Sequence, residues 1–287
     1  MLSIVIVTYN TREPLRRCLQ SIIAQRGDLD LEVIVVDNGS KDGTAAMVRE
    51  TMPDAILIEP GENTWFTGGN NLGVSRASGD PILILNPDTL IQPDTLPVML
   101  GYLRDHPNVG AITCRMEYPE GGVQRTCSRV PGYADLMLGY TFLGVILAPL
   151  RDHLRRRMWY ADWERDSTRA VEVIPGSCIM ARRDLLLRLG TFDTALKLYF
   201  PEDDLCRRML TSGAEIHFVA DALLLHEEHA SVKQAQRLAS RIYFDDLITY
   251  ARKHYGWLAA LILHLLVIPT RAGMDWMQRA RGERAGF

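Results

Sequence analysis

Residues 81–89 read PILILNPDT. Ile82 to Leu85 are consecutive apolar residues, and the chain turns polar at Asn86 and Asp88. A short apolar run without alternation, closed by turn residues, predicts a strand buried on both faces. The same pattern occurs in LSIVIVT (2–8), which ends at Thr8-Tyr9-Asn10, and in LEVIVVD (31–37), which ends at Asp37-Asn38. AILIEPG (55–61) supplies another strand. Between these runs, LRRCLQSIIAQ (15–25) carries Leu15, Leu19, Ile22 and Ile23 at helical spacing. TAAMVRETM (44–52), NNLGVSRAS (70–78) and PDTLPVMLGYLRDH (93–106) also read as helices, and VGAITCRM (109–116) as a further strand. Strands of this kind alternating with helices predict an α/β fold with a mostly parallel central sheet flanked by helices. Such sheets bind ligands beyond the carboxyl ends of their strands, where the polar residues collect here.

The second half is less regular. EYPEGGVQRTCSRVPG (117–132) predicts a hairpin or loop, and AVEVIPGSCIMARRDLLLRLG (170–190) strand, turn, strand and helix. PEDDLCRRMLTSG (201–213) has a proline and acids early, arginines late and a closing glycine, which predicts a helix. EIHFVAD (215–221) is a strand, and the chain from Lys233 onward is helical with a break expected at Pro269.

With 287 residues, 47% of them apolar, the chain is long enough for a sizeable core. Its net charge of −3 gives no global field to recruit nucleic acid. Cys18, Cys114, Cys127, Cys178 and Cys206 are scattered without C-x-x-C pairing, as reduced thiols would be. The start MLSIVIVTYN lacks the basic region of a signal peptide, and no run reaches the roughly 20 apolar residues of a membrane span. The expected location is the cytoplasm.

Asp37 follows an unbroken apolar run, so its carboxylate suits a base N–H or a ribose hydroxyl. Asp42 and Ser40 are adequately explained as caps of the next helix. NTWFTGGNNLG (63–73) reads as a long glycine-rich loop in which Gly68-Gly69 would let the backbone approach a nucleotide or sugar. Neither the Walker nor the Rossmann glycine pattern is present, which counts against kinase and NAD chemistry.

SIVIVTYN, VIVVDNGSKDGT, NTWFTGGNNLG, LILNPDT, PGSCIMARRD, YFPEDDLCRRM and LLHEEHAS follow one another in the order seen in family 2 glycosyltransferases. The resemblance spans about residues 3–231 and is nearest to bacterial rhamnosyltransferase-like enzymes of surface polysaccharide synthesis. It implies a GT-A fold with a helical C-terminal extension. Residues 1–116 would form the nucleotide-sugar-binding half, 117–232 the acceptor-binding and catalytic half of the same domain, and 233–287 the extension. Thr8, Tyr9, Asn10, Asp37 and Asn38 would hold base and ribose, and Asn63, Gly69 and Asn70 would line the donor pocket.

Asn86-Pro87-Asp88 resembles a variant D-x-D motif in which Asp88 holds Mg²⁺ or Mn²⁺ beside the donor diphosphate. Asn86 there offers a neutral oxygen or a water-mediated contact. His226 would be a second metal ligand, with His229 less favoured; neutral imidazole suits Mn²⁺ better than Mg²⁺. An inverting transfer also needs a carboxylate base. Relatives read aromatic-aromatic-Glu-Asp-x-Asp-Leu-Cys where this chain has Tyr199-Phe200-Pro201-Glu202-Asp203-Asp204-Leu205-Cys206. Fixing both flanks places the base on Glu202, the preferred choice, whereas matching the Glu-Asp pair places it on Asp203. The expected donor is dTDP-rhamnose, with a UDP-hexose second. A nucleotidyltransferase lacks its phosphate loop here, and a catalytically silent sugar-nucleotide scaffold leaves the acids unexplained.

Two apolar segments, LMLGYTFLGVILAPL (136–150) and WLAALILHLLVIP (257–269), adjoin arginines: Arg155, Arg156 and Arg157 after the first, Arg271, Arg279 and Arg281 after the second. Together they predict peripheral attachment to an anionic membrane surface, where a glycan or polyprenyl-diphosphate-linked acceptor would be met.

Overall fold

The computed structural model describes residues 1–227 and 236–280, with side chains described over 1–227 and 242–273. Its first part runs β1 (Leu2–Thr8), α1 (Arg12–Gln25), β2 (Leu31–Asp37), α2 (Thr44–Thr51), β3 (Ile56–Ile58), α3 (Trp65–Arg76), β4 (Ile82–Leu85), β5 (Thr89–Ile91), α4 (Thr95–Asp105) and β6 (Val109–Glu117). The second part continues with α5 (Tyr133–Tyr140), α6 (Leu143–Ile146), α7 (Ala148–Met158), β7 (Arg169–Ala170), β8 (Cys178–Ala181), α8 (Arg183–Leu189), α9 (Pro201–Thr211), β9 (Glu215–His226) and α10 (Gln236–Ala280).

The strands form one nine-stranded sheet in the order β3-β2-β1-β4-β8-β6-β9-β5, with β7 beside β9. β3, β2, β1 and β4 are mutually parallel, β8 is antiparallel to both its neighbours, and β6 and β9 are parallel. Period-2 alternation divides the apolar side chains between two cores. Ile4, Ile6, Val35 and Leu83 meet Leu15, Leu19, Met47 and Met99 on one face. Val5, Ile34, Val36 and Ile84 meet Val74, Leu186, Leu205 and Met209 on the other. Thr8 aligns with Asp37 and Ile6 with Leu85, so the polar ends of β1, β2 and β4 emerge at one edge.

The structure corrects the reading of residues 63–73. They are not a loop, because helix α3 begins at Trp65 and contains Gly68, Gly69 and Gly73. Gly69 and Gly73 set how closely the helix lies on the sheet. A Cβ on Gly69 would stand 2.7 Å from Val7 Cγ1, and one on Gly73 2.3 Å from Val5 Cγ1. Both neighbours are β-branched residues of the buried β1 and have little freedom to move. Gly73→Ala should therefore destabilise the fold by about 1–3 kcal/mol through overpacking, measured as a lower urea midpoint. An unchanged midpoint would show that the helix can lift at no cost.

A second correction concerns the C-terminal helix. Pro269 lies within α10, and the break falls at Gly256, whose φ of 87° and ψ of 170° are non-helical. Positive φ of this kind costs glycine little, whereas a proline removes one hydrogen bond and bends a helix without having to end it. Residues Ile242–Gly273 are long and apolar enough to cross a membrane by length and composition, which the apolar segment 257–269 read by itself does not suggest. Gly256 divides that stretch, and Leu247, Tyr250 and Ala251 before the break are fully buried in a core with Leu136, Leu196 and Phe200.

Candidate active site

Loops at the sheet edge hold one another in place. Asn10 has a left-handed φ of 52°, donates its N–H to Ser40 Oγ (2.9 Å) and accepts Lys41 N–H at Oδ1 (2.8 Å). Thr8 is buried with its hydroxyl 2.7 Å from that of Thr11, and Tyr9 is exposed beside it. Asp37, also buried, accepts Ser40 N–H at 2.9 Å. Asp42 accepts N–H groups from Arg12 and Thr44, but the N-cap of α2 is Gly43 without a side-chain cap, and Ser40 is engaged by Asn10 instead. Asn38 uses both ends of its amide on the start of α3, donating to Trp65 O (3.1 Å) and accepting the Thr64 hydroxyl (2.7 Å). Asn63 accepts Trp65 N–H (2.9 Å), and buried Asn70 donates to Phe66 O (2.9 Å). Asn38, Asn63 and Asn70 thus all hold the start of α3, and Gly69 lies against Val7 and Asn38. Thr8, Tyr9, Asn10 and Asp37 stand together where β1 and β2 end.

β5 is too short to signal itself in the sequence, yet it assembles the next cluster. Pairing of Thr89 with His226 in the antiparallel β5–β9 ladder brings Asp88 to the end of β9. His226 Nε2 lies 3.5 Å from Asp88 Oδ1, both residues being nearly buried. Gln124, which sequence reasoning passed over, fixes the imidazole. Its Nε2 donates to His226 O (2.7 Å), so its Oε1 faces His226 Nδ1 at 2.9 Å and must accept from it. Neutral His226 therefore keeps its proton on Nδ1 and presents the Nε2 lone pair to the Asp88 carboxylate. Two electron-rich atoms so placed require a proton or a cation between them. An imidazole whose other nitrogen is held by a carboxamide oxygen is also how metal-binding histidines are oriented.

The pair therefore fits a divalent ion, although no group of three His, Cys, Asp or Glu side chains converges among the described residues. The remaining ligands would be oxygens of water or of a diphosphate. Asn86 donates its backbone N–H to Ser177 O at 3.0 Å, tying this cluster to the β8 loop. His229 lies outside the described residues.

Beside that loop is a cleft of about 550 Å³ lined by Gln124, Pro175, Glu202, Asp203, Tyr140, Tyr199, Tyr243, Met158 and Trp159, among others. Glu202 and Asp203 stand in the first turn of α9 and are half-buried. Burial, and after it the charge of Asp246, pushes the Glu202 carboxyl up to about 7. Burial and the Glu202 charge hold Asp203 well above the ordinary carboxylate range. The two differ in what they face. A Cβ on Gly176 would meet the Glu202 carboxyl carbon at 3.8 Å, placing that group beside the loop that holds Asn86. Asp203 lies instead among the tyrosines, and its charge raises Tyr140, Tyr243 and Tyr250 once burial has done so.

Asp204 is no candidate for a base. It is fully buried and accepts Arg208 Nε, Lys253 Nζ and His254 Nε2, each at 2.8 Å. Asp246 on α10 is a second brace: its carboxylate accepts the N–H groups of Lys197, Leu198 and Tyr199 at 2.8–3.1 Å. That loop leads into Phe200, whose φ of 65° turns the chain into α9. No local motif marks Asp246.

Comparison with known proteins supplies the context. The model of the family described as Glycosyl transferase family 2 matches residues 3–190. An N-acetylglucosaminyl-diphospho-decaprenol L-rhamnosyltransferase of Mycobacterium tuberculosis is 26% identical over 274 residues, covering 90% of this chain and 86% of the relative. The O-antigen biosynthesis protein RfbC of Myxococcus xanthus is 26% identical over 86% of this chain, a match to 19% of that larger protein. Among solved structures, the mannosyltransferase PcManGT of Pyrobaculum calidifontis, in complex with GDP-Man and Mn²⁺, superposes with a TM-score of 0.58 at 23% identity, over 97% of this chain and 75% of its own. Residues 1–349 of S. aureus TarS in complex with UDP give 0.54 at 20% identity, over 78% and 59%.

Proposed function

The chain belongs to glycosyltransferase family 2 and has the GT-A fold, and on that premise we propose an inverting, metal-assisted transfer of a sugar from a nucleoside diphosphate to a glycan carried on a polyprenyl diphosphate. Rhamnose from dTDP-rhamnose is the first choice of donor and a UDP-hexose the second. The chain's relatives include a rhamnosyltransferase whose name specifies a diphospho-decaprenol acceptor, which supports both halves of the reading.

One observation carries the chemistry. A carboxyl group poised near neutrality, Glu202, lies beside the loop that carries Asn86 toward Asp88 and His226. Base and ribose would rest against Thr8, Tyr9, Asn10 and Asp37, with Asn63 and Asn70 on the α3 side. Glu202 takes the acceptor hydroxyl proton as that oxygen bonds to the anomeric carbon. The bond from that carbon to the diphosphate oxygen breaks on the opposite face, and the nucleoside diphosphate leaves. Asp88 and His226 would hold the Mg²⁺ or Mn²⁺ ion, which supplies positive charge for the departing diphosphate. Residues 1–116 serve the donor and 117–232 the acceptor.

Peripheral attachment at the cytoplasmic face of the membrane belongs to the same proposal. Val145, Ile146, Leu147 and Leu150 around α6, and Trp257, Leu258, Leu261 and Leu265 after the Gly256 break, are exposed apolar side chains. Arg155, Arg156 and Arg157 are exposed next to the first group. Arg271 stacks over Phe244 with its guanidinium carbon 5.5 Å from the ring centroid, while the Arg279 side chain and Arg281 lie outside the described residues.

The test is release of free dTDP or UDP from a panel of nucleotide sugars, with and without a polyprenyl-diphosphate-linked acceptor. Release should depend on the acceptor, fall when divalent ions are chelated, and rise as pH passes upward through about 7, where Glu202 loses its proton. Donor binding with no release under any condition would make the chain a silent scaffold and overturn the proposal.

A further inference from the structure

The acid-lined cleft does not end at its aromatic wall. Tyr140, Met158 and Trp159 also line a second cleft, of about 440 Å³, between α5 and α7. Its remaining lining is Asp135, Leu138, Gly139, Arg151, Leu154 and Arg155. Asp135 is already committed, accepting the Gly132 N–H at 2.8 Å to cap α5. Arg151 pairs with its exposed neighbour Asp152 (2.8 Å), and among the described residues Arg155 forms no ion pair. The lining therefore sets two guanidinium groups against one carboxylate.

Beyond the arginines the surface becomes apolar. Val145, Ile146, Leu147 and Leu150 precede and begin α7, and α6 is joined to the second segment of α10 by Phe142 N–H donating to Thr270 Oγ1 (3.0 Å). That segment exposes Trp257, Leu258, Leu261, Ile262, Leu265 and Ile268. An acid-lined cleft, an arginine-lined cleft and an exposed apolar surface thus adjoin in that order. A lipid-linked glycan has the same order of chemistry: a sugar hydroxyl to be deprotonated, a diphosphate and a hydrocarbon chain.

Resting on the functional reading above, we propose that the α5–α7 cleft is the subsite for the acceptor's diphosphate, with Arg151 and Arg155 as its counterions and the lipid running onto the apolar surface. Arginine suits this role because its fork of donors matches phosphate oxygens. Tyr140, Met158 and Trp159 form the partition across which the first sugar reaches Glu202.

Farnesyl diphosphate is the direct probe, titrated calorimetrically against the full chain and against Arg151→Ala/Arg155→Ala. The parent should bind it, bind farnesol or inorganic pyrophosphate more weakly, and lose about tenfold or more in affinity in the double variant. Arg155→Lys, which keeps the charge and loses the fork, should fall between. In the transfer assay, the double variant should lose about tenfold of the preference for a diphosphate-linked acceptor over an alkyl glycoside of the same sugar. Equal farnesyl diphosphate affinity in parent and double variant overturns the subsite. So does a double variant impaired only in sedimenting with phosphatidylglycerol vesicles, which would assign the arginines to lipid headgroups. A parent that binds farnesyl diphosphate through these arginines yet transfers no sugar supports the subsite and breaks the functional reading instead.

Discussion

Glu202→Gln is expected to lower turnover by about 10²–10⁴-fold, the usual loss when a positioned base is removed, with a much smaller effect on donor affinity. The substitution keeps the size of the side chain and removes its ability to take a proton. Two carboxyls one residue apart and both half-buried do not ionise together readily, so the first proton lost holds the second in place. Glu202 is the member of the pair nearer the loop carrying Asn86, and it is the one drawn to about 7. Burial and the Glu202 charge hold Asp203 well above the ordinary carboxylate range too, and it faces Tyr140 and Tyr243, which suits it to holding a sugar hydroxyl. Asp203→Asn should accordingly raise acceptor KM more than it lowers turnover. In the parent, turnover should climb as pH passes through about 7, and in Glu202→Gln that climb should vanish. Near-parental turnover by Glu202→Gln, with an inactive Asp203→Asn, would move the base to Asp203.

Much of this arrangement can be read from the chain because it is local. β1, β2 and β4 are mainly apolar runs, and each stops at a polar residue, so the sheet edge and Thr8, Asp37 and Asp88 are visible in order. What the sequence hides is what depends on contacts between distant segments. Gln124 lies 102 residues from His226, and only the two hydrogen bonds in the fold reveal that it sets the imidazole's tautomer. Asp246 lies 47 residues or more from the N–H groups it accepts and sits in a helix that gives no sign of them. Glycines in residues 63–73 are ambiguous for a similar reason. Glycine permits both a loop around a ligand and close approach of a helix to a sheet, and only Val5 and Val7 beneath α3 decide which. The acids at 202–204 illustrate the limit most sharply: the motif leaves Glu202 and Asp203 as alternatives, whereas burial and partners separate two carboxyls on the cleft from the Asp204 brace.

Asp204→Asn is expected to destabilise the fold by about 3–5 kcal/mol at neutral pH, the range found when one member of a buried charge cluster is removed. The carboxylate is fully buried, and two of its partners, Lys253 and His254, come from α10, the third being Arg208 on its own helix. Asn keeps one acceptor oxygen and brings an NH₂ group among donors, so the contacts are not merely weakened. Burial alone would raise this group, but hydrogen bonds from His254 and Lys253 and the charge of Arg208 outweigh it and hold the carboxyl below its ordinary 3.8. A lowered folded-state value means stability that is fully present above the unfolded value and lost as pH falls through the folded one. Urea midpoints should therefore differ widely between parent and variant at neutral pH and converge on acidification below about 4. Because the cluster fastens α10 to the helix bearing Glu202, hydrogen exchange in Ile242–Tyr255 should quicken in the variant before the sheet is affected. Equal midpoints at neutral pH would mean that Asp246 and the apolar contacts of Leu247 and Tyr250 hold α10 in place without the ion cluster.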